Sequence, residues 1–294
     1  MQLPLESVPN LSEGRDPAVI DAIAVVLGSR AKLLDVHTNA DHNRSVFTLV
    51  ADEQQLIDAL LAGIGHAREH IDLRAHVGAH PRIGAMDVVP IVPLRPEDME
   101  RARAAALELA GRIGEELKLP VFLYGALAPE RGPAFFRRGG PAELQRRIDA
   151  GEVTPDFGPS RLDPSAGGVI VGARRPLIAF NVNLVGPNVE AAQEIARVIR
   201  ERDGGFPGVR ALGLHLPQAG HAQVSMNVED WEASALHEIV AAIEREAAAR
   251  GVEVAGAELV GLMPAGAAAA AAGGALRIDG FDASRLLELR LLEG

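Results

Sequence analysis

Twice along this chain the apolar pattern runs strand, helix, strand, strand, helix, strand, and that order narrows the possible architectures more than any motif does. In the first half, strand-like stretches at Leu3–Val8, Lys32–Val36, Ser45–Val50 and within Leu73–Leu94 are separated by two helical patterns. Asp16-Pro17 opens the first helix, with an acceptor side chain as N-cap and proline at the first helical position. Val19, Ile20, Ile23, Val26 and Leu27 recur at helical spacing, and Gly28 closes it. Asp52–His70 is the second, with Leu56, Ile57, Leu60, Leu61 and Ile64 on one stripe. Pro96–Lys118 reads as a further long amphipathic helix, Pro120–Gly125 as a strand and Pro141–Asp149 as a short helix.

In the second half the strands are expected at Val169–Val171, Leu177–Val185, Ala211–Leu216, Ala222–Asn227 and Glu253–Val260, and the helices at Val189–Arg202 and Glu232–Arg250. An alanine-rich stretch, 265–275, and a helical end follow. The Gly/Pro clusters at Arg131–Pro141, Pro155–Gly168 and Gly204–Gly208 read as loops. The order predicts an α+β protein of layered sheets rather than a doubly wound parallel sheet. Two domains are expected, 1–176 and 177–294, with no residue-level repeat between them.

Composition excludes several function classes. At 48 % hydrophobic and 23 % charged, the chain is globular rather than disordered. Asp and Glu number 40 against 29 Lys and Arg, a net charge of −11, and nucleic-acid binding calls for the opposite balance. The longest apolar run, around Ala267–Ala272, falls far short of the roughly 20 residues that span a bilayer. Met1-Gln2-Leu3-Pro4-Leu5-Glu6 has no basic segment or apolar signal core, so a cytoplasmic location is expected. With no cysteine, disulfides, zinc ribbons and a thiol nucleophile are excluded.

Four segments carry chemistry-bearing residues. His66-Ala67-Arg68-Glu69-His70 has the H-x-x-E-H spacing of a zinc-peptidase class. It lies off the apolar stripe of its helix, so a solvated polar face is the preferred reading and no metal is expected. The segment from Asp35 to Arg44 loosely follows a calcium-loop spacing. Ala40 and Val46 stand where glycine and glutamate are needed, which leaves a polar turn that could line a pocket. Gly168–Arg175 lacks the Lys-Ser/Thr ending of a phosphate-binding loop. In Gly78-Ala79-His80-Pro81-Arg82-Ile83-Gly84-Ala85-Met86-Asp87, Pro81 biases His80 to an extended backbone. A histidine in such a stiff turn, with Arg82 and Asp87 close by, has the ingredients of an acid–base site.

That last segment is also the most specific. Val8-Pro9-Asn10-Leu11-Ser12-Glu13-Gly14-Arg15 precedes it. Pro155-Asp156-Phe157-Gly158-Pro159-Ser160, Val171-Gly172-Ala173-Arg174, Leu177-Ile178-Ala179-Phe180-Asn181-Val182-Asn183-Leu184 and Gln223-Val224-Ser225-Met226-Asn227 follow. In this order they resemble the glutamate formimidoyltransferase (formiminotransferase) family, the transferase part of formiminotransferase-cyclodeaminase, over nearly the whole chain. The resemblance implies two α/β subdomains with mixed or antiparallel sheets facing each other, helices on the outer faces, and a homodimer. It implies transfer of a formimidoyl group from N-formimidoyl-L-glutamate to N5 of tetrahydrofolate in histidine degradation, with tetrahydrofolate as co-substrate. It places the catalytic histidine at His80 and folate binding at Gly158, Pro159, Ser160, Arg161, Leu162, Asp163, Pro164, Ser165, Ala166 and Gly167. Val77 and Ala79 stand where mammalian-type members carry lysine and glutamate, and Ala166 where they carry tryptophan.

Such a transfer needs one proton removed from the attacking nitrogen and one given to the departing nitrogen, work suited to an imidazole. A carboxylate would steady the cationic amidine, and Asp35 and Asp87 are the candidates. Arg82, Arg174 and Arg175 are candidates for the glutamate carboxylates, and Arg137 and Arg138 for a polyglutamate tail. Asn10, Asn181, Asn183 and Asn227 are candidates for pterin or amidine edges. The competing readings are folate-dependent formyl transfer and a non-catalytic folate-binding protein.

Overall fold

Side-chain caps set where the helices begin. In the computed structural model, which describes residues 3–292, Asp16 accepts the Ala18 N–H at the head of α1, Pro17–Gly28. Asp52 accepts the Gln55 N–H at the head of α2, Glu53–His70. Each cap satisfies a backbone donor that has no partner within its helix. The chain forms two units, the first running to Arg175 and the second from Pro176.

In the first unit β1 (Leu5–Ser7) and β2 (Asn10–Leu11) follow one another along the same track. Both pair antiparallel with β4 (Arg44–Ala51) on one side and β5 (Met86–Pro93) on the other. β3 (Lys32–Asn39) adds outside β4 as a hairpin. Beyond β5 the sheet continues in parallel through β7 (Val169–Ala173) to β6 (Val121–Gly125), so it is mixed. α3 (Met99–Arg112), α4 (Pro133–Arg137) and α5 (Gly140–Asp149) complete the unit.

One face of this sheet meets α1, α2 and α3, through Phe47, Leu49, Val89 and Ile91 against Ile23, Leu27, Leu56, Leu60, Ile64 and Leu109. Each such fully buried side chain contributes roughly 1.5–3 kcal/mol of transfer free energy. On the other face, at the β5–β7–β6 end, Val88, Ile170, Phe122 and Tyr124 meet Phe136 of α4 and Leu144 and Ile148 of α5. Over β3 and β4 the alternation of the strands leaves that face to Asp35, His37 and Asn39, paired in register with Thr48, Val46 and Arg44.

The second unit repeats the order with a shorter sheet. β8 (Ile178–Leu184) lies between β10 (His221–Val228) and β11 (Val254–Val260), and β9 (Val209–Leu216) pairs outside β10, all antiparallel. α6 (Val189–Ile199) and α7 (Leu236–Ala249) bury one face through Ala192, Ile195, Ile239 and Ile243 against Val182, Val224 and Val228. In both units, therefore, the first strand of a βαββαβ run sits between the third and fourth. The α+β class read from the alternation is the class observed. The alanine-rich stretch forms α8 (Ala265–Leu276), buried at Ala267 and Ala269, and α9 (Leu287–Leu292) follows. Among the described residues no helix is long and apolar enough to cross a membrane.

Several local expectations are corrected. Leu73–Leu94 is a strand only from Met86; before that the backbone bonds to distant loops, Leu73 N–H to Ser165 and Ala79 N–H to Asp41, in place of a ladder. The cluster Arg131–Pro141 is not all loop, because Pro133 starts α4 and Phe136 is buried beneath it. α3 gives way after Arg112 to a wider turn at Ile113–Leu117 and stops at Lys118, which has left-handed geometry. α6 ends at Ile199, ahead of a separate short turn at Glu201–Asp203. α7 starts at Leu236 rather than Glu232, since Asp230 caps a turn at Ala233 and Ser234 Oγ is tied to the Pro207 carbonyl.

Candidate active site

The turn around His80 has no regular ladder of its own and is held by its neighbours. Asn43, in left-handed geometry between β3 and β4, donates from Nδ2 to the Val77 carbonyl (3.1 Å) and accepts the Gly14 N–H at Oδ1 (2.9 Å). Gly14 makes this approach possible, since a Cβ there would lie 2.4 Å from the Arg44 nitrogen. Arg82 donates to the carbonyls of His42 (2.9 Å), Asn43 (3.1 Å) and His80, and lies against the His76 ring. Its guanidinium is thus the brace that pins the turn to the β3–β4 connection.

Asp87, 3 % exposed, accepts the Ile83 N–H at 2.7 Å through Oδ1. Its Oδ2 takes Nε of Arg137 at 2.9 Å and a second, very short bond from Nη2. This buried pair fixes the C-terminal end of α4 to the start of β5.

His80 itself is partly buried. Its Nδ1 lies 2.9 Å from the Pro81 carbonyl oxygen, which only accepts, so Nδ1 carries the proton and Nε2 the lone pair. That lone pair faces Nη1 of Arg44 at 2.7 Å. The His42 ring stands edge-on to His80, centroids 6.0 Å apart. Burial, then the charges of Arg44 and Arg137, hold the His80 imidazole well below its usual range. Burial, with Arg137 and Arg82 adding, lowers the Arg44 guanidinium to about 9, against the opposing charge of Asp87. Burial likewise lowers Arg82 to about 10. The result is a neutral imidazole with its lone pair on Nε2, in a cluster with an excess of positive charge.

The segment Gly158–Gly167 lies against the residues that follow this turn. Ala85 N–H donates to Ala166 and Gly168 N–H to Ile83. Asp163 Oδ1 gathers the Ser165 and Ala166 N–H groups, while Oδ2 meets Arg68. Burial works against ionisation there, yet these donors hold the Asp163 carboxyl below its ordinary value. Gly167 adopts φ +71°, and a Cβ would sit 1.9 Å from the Ile83 carbonyl oxygen, so only glycine fits. Pro159, Ser160, Arg161 and Pro164 are exposed; Leu162 and Ala166 are buried, so Ala166 presents no stacking surface.

The remaining sequence candidates fall elsewhere. Asn10 lies on the sheet face that carries Arg44, in register with Val46, and donates to the Val8 carbonyl (2.9 Å). Asp35 lies on the same face opposite Thr48, whose Oγ1 is buried without a partner. Arg174 follows β7 beside Glu6, a carboxyl that burial pushes up and the Arg174 charge pulls down. In the second unit Asn181, 5 % exposed, donates to Glu258 (3.0 Å), and Gln223, 1 % exposed, donates to Asn183 (2.9 Å). Asn227 is exposed on β10, and its neighbours in register are Ala179 and Arg210. His66, Glu69 and His70 bring donor atoms within 4.8 Å of one another on the last turn of α2, with the two rings stacked at 4.0 Å.

Sequence reasoning did not single out Arg44, Glu6, Gln223 or Glu258 as site residues, and it read Arg137 as a tail-binding cation rather than the partner of Asp87. For Arg44 a signal was available: it directly precedes the strand predicted at Ser45–Val50, whose alternation, carried back one residue, sets 44, 46 and 48 on one face.

The model of the formiminotransferase domain, N-terminal subdomain, matches residues 4–174, and that of the formiminotransferase domain matches residues 179–277. The chain is similar to the glutamate formimidoyltransferase of Streptococcus pyogenes serotype M1, 40 % identical over 294 residues, covering 98 % of this chain and 98 % of that one. It is equally similar, at 40 %, to the glutamate formimidoyltransferase of Thermoplasma acidophilum, covering 98 % of this chain and 97 % of that protein. The formimidoyltransferase-cyclodeaminase of Rattus norvegicus is 40 % identical over 271 residues, which is 88 % of this chain and 50 % of the rat protein.

Proposed function

From a chain that belongs to the formiminotransferase family, we propose an enzyme that moves a formimidoyl group from N-formimidoyl-L-glutamate to N5 of tetrahydrofolate, with His80 as the proton carrier. The observation that carries this reading is the 2.9 Å approach of His80 Nδ1 to the Pro81 carbonyl oxygen, which assigns the proton to Nδ1. With Nδ1–H held by the Pro81 carbonyl, Nε2 is a lone-pair nitrogen on a ring kept neutral by its surroundings. N5 attacks the amidine carbon and the new C–N bond gives a tetrahedral intermediate. Nε2 takes the proton that N5 loses and returns it to the glutamate nitrogen as the old C–N bond breaks. No covalent enzyme intermediate is needed, in keeping with a chain that has no cysteine.

Folate is assigned to the side of the turn formed by Gly158–Gly167, whose backbone is bonded to the residues just after His80. The polar sheet face bearing Asn10, Asp35 and Arg44 supplies further hydrogen-bonding groups.

The test is a coupled assay following the absorbance of 5-formimidoyltetrahydrofolate with the purified protein and both substrates. Transfer is expected, and His80→Ala, folded and still binding folate, should lose at least about a hundredfold in kcat. No transfer by the wild type, or full activity in the variant, rejects the reading. Turnover of formylglutamate in preference to the formimidoyl donor would favour formyl transfer instead.

A further inference from the structure

We propose that Arg44 is a carboxylate receptor that also guards the catalytic base: an anionic group of the donor draws its guanidinium off His80 Nε2, so the base is released only when that donor is in place. The inference rests on the reaction proposed above and adds what opens the site.

A neutral imidazole has one lone pair, and here Arg44 Nη1 occupies it. In this arrangement Nε2 has nowhere to put a substrate proton. Arg44 must move before the reaction begins, and the site shows what would move it. The guanidinium is incompletely matched, because its Nε is buried with no hydrogen-bond partner. A carboxylate offers two oxygens in the plane of the Nε/Nη fork and a full negative charge, where the neutral imidazole offers one nitrogen.

Charge balance points the same way. Arg44, Arg82 and Arg137 act on one another here, and the carboxylate among them, Asp87, is bound to Arg137. Arg82 is committed to backbone carbonyls, and Glu13 to the N–H groups of Gly14, Arg15 and Asp16. Of these three arginines, Arg44 is the one with an unmatched Nε to offer an arriving anion.

The groups that set the titration of His80 are Arg44 from β4, His42 from the β3–β4 turn and Arg137 from α4. Arg82 and Asp87 act on Arg44. Moving Arg44 onto an anion removes the largest of the charges that keep His80 deprotonated. It frees Nε2 and makes it more basic in the same event. A donor lacking carboxylates, such as formamidine, leaves Arg44 where it is and should turn over slowly even at saturation, a loss in kcat and not only in KM.

Long-range 1H–15N NMR of the wild-type protein, with His80 assigned by His80→Asn, reads the switch directly. Saturating L-glutamate should move the Nε2 resonance away from its hydrogen-bonded position and raise the apparent pKa of His80. In Arg44→Gln that pKa should start higher, and L-glutamate should leave it unchanged. Kinetically, Arg44→Gln should raise KM for N-formimidoyl-L-glutamate about 10- to 100-fold, the span expected when one charge-assisted partner of a carboxylate is lost. KM for tetrahydrofolate should stay the same, and the acid limb of kcat/KM should move up in pH. Arg44→Lys, which keeps the charge, should recover part of the loss.

A wild-type Nε2 resonance that ignores saturating L-glutamate overturns the proposal. So does an Arg44→Gln variant with wild-type donor KM and acid limb. If that variant does not fold, the wild-type titration decides alone. A wild type that transfers no formimidoyl group but shows the Nε2 response sinks the reaction and leaves the guard standing.

Discussion

Set side by side, the two units share a scaffold and differ in what they carry on the sheet face turned away from its helices. Each sheet buries one face under the two helices of a βαββαβ run, through Leu, Ile, Val and Ala in both cases. On the opposite face the first unit carries ionisable groups: Asp35 and Arg44 across β3 and β4, and Glu6 beside Arg174. The second carries mostly amides, Asn181, Asn183 and Gln223, gathered with Glu258. Charged groups bind carboxylates and move protons, whereas amides match donor and acceptor edges of neutral rings. The proton transfer proposed above therefore draws on the first unit, whose ionisable side chains stand on the βαββαβ topology that both units share.

The comparison can be broken by experiment. The largest effect is expected at Asp87→Ala. It leaves the Arg137 guanidinium without its carboxylate in a buried place, which should cost about 3–5 kcal/mol in denaturant unfolding. Gln223→Ala in the second unit removes bonds to Asn183 and to the Glu258 carboxylate, and should cost only about 1–3 kcal/mol. If Gln223→Ala proves the costlier, the contrast between a charged and an amide face is wrong.

A pH effect should follow from the buried histidines of the first unit. His76 and His80 are both held below the ordinary 6.5, so each binds a proton more readily in the unfolded chain. Stability should be full above about 6.5 and decline as pH falls below it, and His80→Asn should flatten part of that slope. Thermal unfolding across pH measures this. A decline that is unchanged in the variant would place its origin elsewhere.

The smallest effects belong to the shared scaffold. Asp16 and Asn188 cap the corresponding helices α1 and α6 in the same way, by accepting an N–H of the first turn. Alanine at either position should cost about 1 kcal/mol, with no change in donor KM. Unequal costs would argue that the two scaffolds are less equivalent than their topology.

Much of this was legible before any coordinates. The strand–helix order, the start and stop of α1, the cap of α2 and the stiff turn at His80 follow from signals that act within a few residues. Where local reading failed, distant backbone had intervened. Leu73–Ala85 carries apolar residues in a strand-like pattern, but its N–H groups find carbonyls at Asp41 and Ala166. The short helix α4 is hidden among glycines because one buried ring, Phe136, holds it down.

By itself the sequence determined the scaffold and the presence of an imidazole in a rigid bend, since periodicity, caps and proline geometry are properties of neighbours along the chain. Only the tertiary structure decided which cation stands in front of that imidazole. Arg44 lies 36 residues from His80, and Arg137 lies 50 from Asp87. Nothing local in a sequence chooses a partner at that distance; packing of the β3–β4 turn and α4 against the start of β5 does.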